Sequence, residues 1–140
     1  MNIFLDANIL VAVLNKEYPL FTYAVRLLSL ADDRRFRLYT SSTCFAIAFY
    51  FSAKKSGSTI AKEKIALLAQ KIRLAENRSS DIVAAASNKR ITDFEDGIQY
   101  YAALNAGCKC IVTENLEDFF FSDIQVLNTE SFLQTHVINR

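Results

Sequence analysis

The sequence predicts an α/β fold: a central parallel sheet covered by helices on both faces, in three α/β/α layers. Three observations support this. Short apolar runs alternate with longer stretches of helical spacing, the pattern of strand–helix–strand units. Hydrophobic residues make up 51% of the chain, enough for a real core. Glycine and proline are scarce, at three and one, so the chain lacks the turn residues of an all-β fold. The 140 residues suit a single domain spanning 1–140, with no repeat or linker.

Each element follows from local pattern. Asn2–Leu5 is a short apolar run that ends at Asp6 and reads as a buried strand. Residues 7–14 suit a short helix. Pro19 is well placed at the start of the next helix, where apolar residues recur at Leu20, Tyr23, Ala24, Leu27 and Leu28 over 20–30. A polar turn at 32–35 precedes a second strand over 36–40. Ser41, Ser42 or Thr43 can cap the following helix, which runs to about Lys55 and, apolar on nearly all sides, is expected to be buried. Residues 59–74 read as an amphipathic helix, and 79–88 as a short Ala-rich one. Asp93 opens a helix that Gly107 ends. Residues 109–113 and 125–127 read as strands, and 129–137 as a last helix.

Composition excludes some classes. No run approaches the roughly 18 apolar residues of a membrane helix, and Asp6 interrupts the apolar N-terminus, unlike a signal peptide. A cytoplasmic location is the expectation. Cys44, Cys108 and Cys110 form no C-x-x-C pair and read as buried structural residues. The net charge is +1, but residues 34–90 hold 12 Lys/Arg against 3 Asp/Glu, whereas the rest hold 4 against 12. That asymmetry suggests an acidic site and a separate basic surface. On charge alone, solvated Lys-rich helices are the simpler reading.

The acidic positions point to chemistry. Ligands of open parallel sheets bind beyond the carboxyl ends of the strands. Asp6 ends the first strand, Asp93 and Asp96 open a helix that leads into a strand, and Asp118 follows the strand that ends at Thr113. Singly, each reads as a cap or turn residue. Together they place carboxylates where strand ends converge, and crowded carboxylates call for a cation, Mg²⁺ or Mn²⁺ by oxygen preference. Asp93 and Asp96 share a helix face by spacing, whereas Glu95 is expected to face solvent.

These blocks resemble a known family. Phe4-Leu5-Asp6-Ala7-Asn8-Ile9-Leu10 is similar to the opening of PIN domains. The helix from Asp93-Phe94-Glu95-Asp96 through Leu104 resembles the one that supplies a further acid, and residues 111–119 resemble the strand and turn that supply the last. Within the family the chain most resembles the VapC-like toxins of toxin–antitoxin pairs. The resemblance implies a metal-dependent ribonuclease in which Asp6, Asp96 and Asp118 bind metal, with Asp93 as an additional acid. Asn8, Thr113 and Asn115 would orient carboxylates or water. It implies RNA as substrate, an antitoxin partner and a possible homodimer, for which Tyr23 and Ile60 are candidate contacts. Arg34, Arg35, Arg37, Lys54 and Lys55 are the candidates to offset repulsion of the RNA backbone.

One departure stands out. The family places a Glu early in the helix after the second strand, yet no acid occurs between Asp33 and Glu63. Asp93, or a water held by Ser42 or Thr43, is the candidate replacement. Without one, the alternative is a catalytically weakened PIN-like module that binds RNA or protein. A phosphoacceptor receiver domain fits less well, because the strand-end Asp comes first in the chain and Glu114 and Asn115 follow Thr113. Phe119-Phe120-Phe121 is expected to be buried rather than base-stacking, and His136 to be a surface or packing residue.

Overall fold

The structure, a computed structural model, describes residues 1–138. Five strands form one parallel sheet: β1 (Asn2–Leu5), β2 (Arg37–Ser41), β3 (Arg73–Ala75), β4 (Cys110–Val112) and β5 (Gln125–Leu127), in the order β3-β2-β1-β4-β5. The central β1 and β4 are almost without exposure, as a sheet covered on both faces demands. Seven helices surround it: α1 (Ala7–Leu14), α2 (Leu20–Leu28), α3 (Ser42–Ser56), α4 (Ser58–Lys71), α5 (Ser79–Ser87), α6 (Phe94–Asn105) and α7 (Thr129–Leu133).

The handedness of crossovers decides which face each helix covers. From β1 to β3 the chain steps one way along the sheet, and from β3 through β4 to β5 it steps back the other way. Right-handed connections then put α1 to α4 on one face and α5 and α6 on the other. The contacts agree: α3 packs on α1 and α4, α7 joins that layer through α2, and α5 pairs with α6, which lies on β2 and β3. The chain leaves β1 in one direction and reaches β4 from the other, so the crevice between their carboxyl ends is the switch point where such sheets bind ligands.

Three local expectations change. The helix expected over 59–74 stops at Lys71; Ile72 is extended, and Arg73–Ala75 pairs with β2 through Tyr39↔Arg73 and Ser41↔Ala75. Helical spacing hid this strand because it is three residues long and only Ala75 is buried. Helix α3, capped by Ser41 Oγ accepting from the Cys44 N–H, is not buried all round: Tyr50 and Phe51 are 58% and 45% exposed. In the aromatic run, Phe119 and Phe121 are buried and Phe120 is exposed.

The three cysteines are buried, and burial pushes each thiol up to about 12. His136 packs against Phe132 and meets the Gln125 Oε1 at 2.8 Å. Ile60 is exposed, but Tyr23 is only half-exposed and its hydroxyl lies 3.4 Å from Glu130, so it does not offer the free apolar face expected of it. Among the described residues, no helix is long and apolar enough to cross a membrane.

Gly97 shows how closely α6 sits. A Cβ there would lie 2.8 Å from the Ile91 Cγ2 and 3.2 Å from the Ala85 Cβ. Gly97→Ala should therefore destabilise the protein by roughly 1–3 kcal/mol through overpacking, despite the better helix propensity of alanine. Denaturant unfolding checks this, and an unchanged or raised midpoint would contradict it.

Candidate active site

Asp6 is fixed by the sheet. It follows β1, and its backbone N–H continues the ladder to the Val112 carbonyl at 3.0 Å. Its side chain is 8% exposed and held at both oxygens. Oδ1 accepts the Ala7 N–H at 2.7 Å, and Oδ2 accepts the Thr113 hydroxyl at 2.7 Å. The Thr113 oxygen in turn accepts from Asn8 Nδ2 at 3.2 Å and from the Asn115 N–H at 3.1 Å. Asn8 Nδ2 also reaches Asp6 Oδ2 at 3.5 Å, and its Oδ1 accepts the Glu114 N–H at 3.3 Å. Asn8, Thr113 and the Asn115 backbone thus brace one carboxylate across the crevice between β1 and β4.

A cavity of about 440 Å³ opens at this crevice, and Asp6, Asp96 and Asp118 all line it. Glu17, Glu95 and Glu114 line it too, as do Asn8 and Asn115. Glu95 is exposed, as its spacing suggests, and also borders the cavity. Glu114 is tied down, its Oε2 accepting from both the Thr129 N–H and hydroxyl at 2.9 Å. Among the described residues, no three acidic, His or Cys side chains converge tightly enough to hold an ion as they stand. The carboxylates ring the cavity and do not meet at a point.

Their mutual repulsion shows in protonation. Burial, then the charges of Asp93, Asp118, Asp6 and Glu95, push Asp96 up to about 7. Burial raises Asp6 as well and Asp118 adds to it, while hydrogen bonds from Thr113 and Ala7 oppose the rise. A cavity lined by carboxylate and amide oxygens, in which burial and neighbouring acids raise Asp6 and Asp96, suits a hard divalent cation.

Other candidates sit elsewhere. Asp93 caps α6: its Oδ1 accepts the Glu95 and Asp96 N–H groups at 2.8 and 3.2 Å, and it does not line the cavity. Ser42 and Thr43 do not line it either; α3 contributes Ile47 and Phe51, both apolar. The expectation that Arg34, Arg35 and Arg37 flank the site is corrected. Arg37 pairs with Asn2 and the Arg35 carbonyl holds the Met1 amino group, so this cluster lies at the amino-terminal edge of the sheet, opposite Asp6. Arg35 is paired with Asp33. Lys55 donates to the Asn15 carbonyl and Lys54 lies against the Tyr50 ring, beyond the cavity wall. Spacing alone could have found Gln99, which lies one turn after Asp96 and lines the cavity. Nothing local marks Glu17, which arrives from the turn after α1.

A family profile described as PIN domain matches residues 2–117. The chain belongs to the PIN-domain family. Ribonuclease VapC1 of Aquifex aeolicus (strain VF5) is 28% identical over 135 residues, covering 94% of this chain and 93% of that protein. Among solved structures, VapBC-1 from nontypeable Haemophilus influenzae aligns with a TM-score of 0.69 at 19% identity, over 93% of this chain and 99% of that one. VapBC2 from Rickettsia felis, bound to a DNA fragment from its promoter, aligns at 0.71 and 18%, over 91% and 98%. The sarcin–ricin loop cleaving toxin VapC20 of Mycobacterium tuberculosis aligns at 0.61 and 16%, over 78% and 86%. The PIN-domain match spans Asp6, Asp93 and Asp96 and ends one residue before Asp118.

The charge crowding has a measurable sign. The Asp96 carboxyl ionises near 3.8 unfolded and near 7 folded, so the folded state keeps a proton through that window. The stability that Asp96 contributes to the metal-free PIN domain is therefore fully present below this window and is lost as pH rises from 4 to 7. Asp96→Asn should flatten this slope and raise the metal-free melting temperature by a few degrees at pH 8. A variant that melts lower than wild type by the same amount at every pH would contradict this.

Proposed function

We propose that this PIN domain is a divalent-metal-dependent endoribonuclease of the toxin type, hydrolysing RNA phosphodiesters with Asp6, Asp96 and Asp118 as its metal-binding acids. The observation that supports it best is the single cavity shared by these carboxylates, in which Asp96 resists ionisation and, among the described residues, no Lys, Arg or His lines the wall. Such a cavity repels a phosphate until a cation neutralises it. Mg²⁺ or Mn²⁺, when bound, would acidify a water and offset charge on the phosphate and leaving oxygen.

The chain's own residues prepare the site. Asp6 is held in one rotamer by the Ala7 N–H and the Thr113 hydroxyl, so its orientation is set before anything binds. Asn8 and Thr113 keep that carboxylate fixed, and the Asn115 N–H orients the Thr113 hydroxyl toward it. Asp96 would hold such a cation as a carboxylate, since a positive charge there would offset the burial and the neighbouring acids that raise it. Asp93 acts through Asp96, as the cap of the helix that bears it.

The likeness to VapC proteins supports three further assignments: a cytoplasmic toxin, an antitoxin partner and, as a second assembly, a homodimer. One observation favours the alternative of a non-cleaving RNA- or protein-binding module: α3 presents Ile47 and Phe51 to the cavity and no acid. Metal-dependent cleavage separates the two. Wild-type protein should cut single-stranded or looped RNA with Mn²⁺ and not with EDTA. Asp6→Asn should reduce cleavage by orders of magnitude at near-normal stability. Asp93→Ser should stay within a few-fold of wild type, since Ser caps a helix about as well as Asp. No cleavage of any RNA by freshly metallated wild-type protein would overturn the enzyme reading in favour of the module.

A further inference from the structure

One side chain in the acidic cavity has no role in the site as described so far. Gln99 is 2% exposed, lines the cavity, and has an Oε1 without a hydrogen-bond partner. It stands three residues after Asp96 and four after Glu95, so α6 presents Glu95, Asp96 and Gln99 to the cavity as one row. An unpaired buried carboxamide oxygen is destabilising, a cost that Met or Leu at the same place would avoid. The rest of the described interior is well satisfied; only Asn15 Oδ1 and Ser52 Oγ share this condition, and neither residue lines the cavity.

The missing partner can be characterised. A carboxamide oxygen only accepts, so its partner is a hydrogen-bond donor or a cation. Among the described residues, the cavity wall offers carboxylates, the Asn115 amide, an Asn8 amide already donating to Asp6 and Thr113, and no Lys, Arg or His. On the α3 side it offers only Ile47 and Phe51. From α6, Gln99 adds a buried neutral oxygen to a wall that already carries the carboxylates of Asp6, Asp96 and Asp118. A neutral amide supplies it without adding another negative charge to carboxylates that already repel one another.

We propose that Gln99 is a binding residue for a hydrated divalent cation, its Oε1 supplying a neutral oxygen beside the carboxylates of Asp6, Asp96 and Asp118. This rests on the reading that the cavity takes such a cation. It explains why a buried polar atom is left unpaired in the free protein, and it sets Gln99 apart from a residue that merely fills space on α6.

Calorimetric titration of the full-length, metal-free protein with Mn²⁺, run beside thermal melts, tests it. Gln99→Met should melt at or above the wild-type temperature without metal and bind Mn²⁺ on the order of 10-fold more weakly. Equal Mn²⁺ affinity in wild type and Gln99→Met would overturn this inference while leaving the cation-binding reading intact. Absence of Mn²⁺ binding to wild type would overturn both. Should Gln99→Met fail to fold, Gln99→Glu replaces it: the proposal expects Mn²⁺ binding tighter by on the order of 10-fold, and an unchanged affinity would overturn it.

Discussion

The hydrogen bond from the Thr113 hydroxyl to Asp6 Oδ2 spans the place where the sheet reverses its direction of growth. β1 and β4 are neighbours in space but come from opposite ends of the chain, so their carboxyl ends part into a crevice that neither strand closes. Thr113 and Asn8 hold Asp6 at that crevice, and the bracing fixes where every other acid must come to meet it. α6 brings Asp96 over the opposite face, and the short turn after β4 brings Asp118. Had β4 added beyond β3, no such crevice would lie beside Asp6 and the acids would be scattered surface residues.

Gathering like charges conflicts with stability, and this structure limits the conflict without removing it. The acids line a shared cavity without converging on a point, and Asp96 resists ionisation there through burial first and the charges of Asp93, Asp118 and Asp6 second. The basic residues do not relieve it. Arg34, Arg35 and Arg37 sit at the far edge of the sheet, and Lys54 and Lys55 engage Tyr50 and the end of α1. These basic residues lie off the cavity wall. They leave the cavity to be neutralised by whatever enters it.

Most of the fold was legible because its signals are local. The apolar run before Asp6, the spacing of α2, the cap at Asp93 and the Gly107 stop each act within a few residues. β3 was not legible, because a three-residue edge strand with one buried side chain has no period of its own and its identity comes from pairing with β2. The exposure of Tyr50 and Phe51 was missed for a related reason: an apolar helix reads as buried, yet these residues border the cavity or lie near it, where no element covers them. At the site, the bracing roles of Asn8 and Thr113 came from motif resemblance and could not come from spacing, since Asn8 and Thr113 lie 105 residues apart. Asp93 shows the limit of helical spacing: three residues put two carboxylates on neighbouring positions, but its backbone cap turns one of them away from the cavity.

The central claim is that burial at the cavity, together with the neighbouring carboxylates, holds Asp96 protonated well above the ordinary carboxylate range. Carbon-detected NMR titration of the Asp96 carboxyl in the metal-free protein tests this directly. Burial of Asp96 beside Asp93, Asp118 and Asp6 predicts a midpoint of about 7, falling toward the ordinary range once Mg²⁺ is added. A midpoint near the ordinary 3.8, unmoved by Mg²⁺, would contradict it.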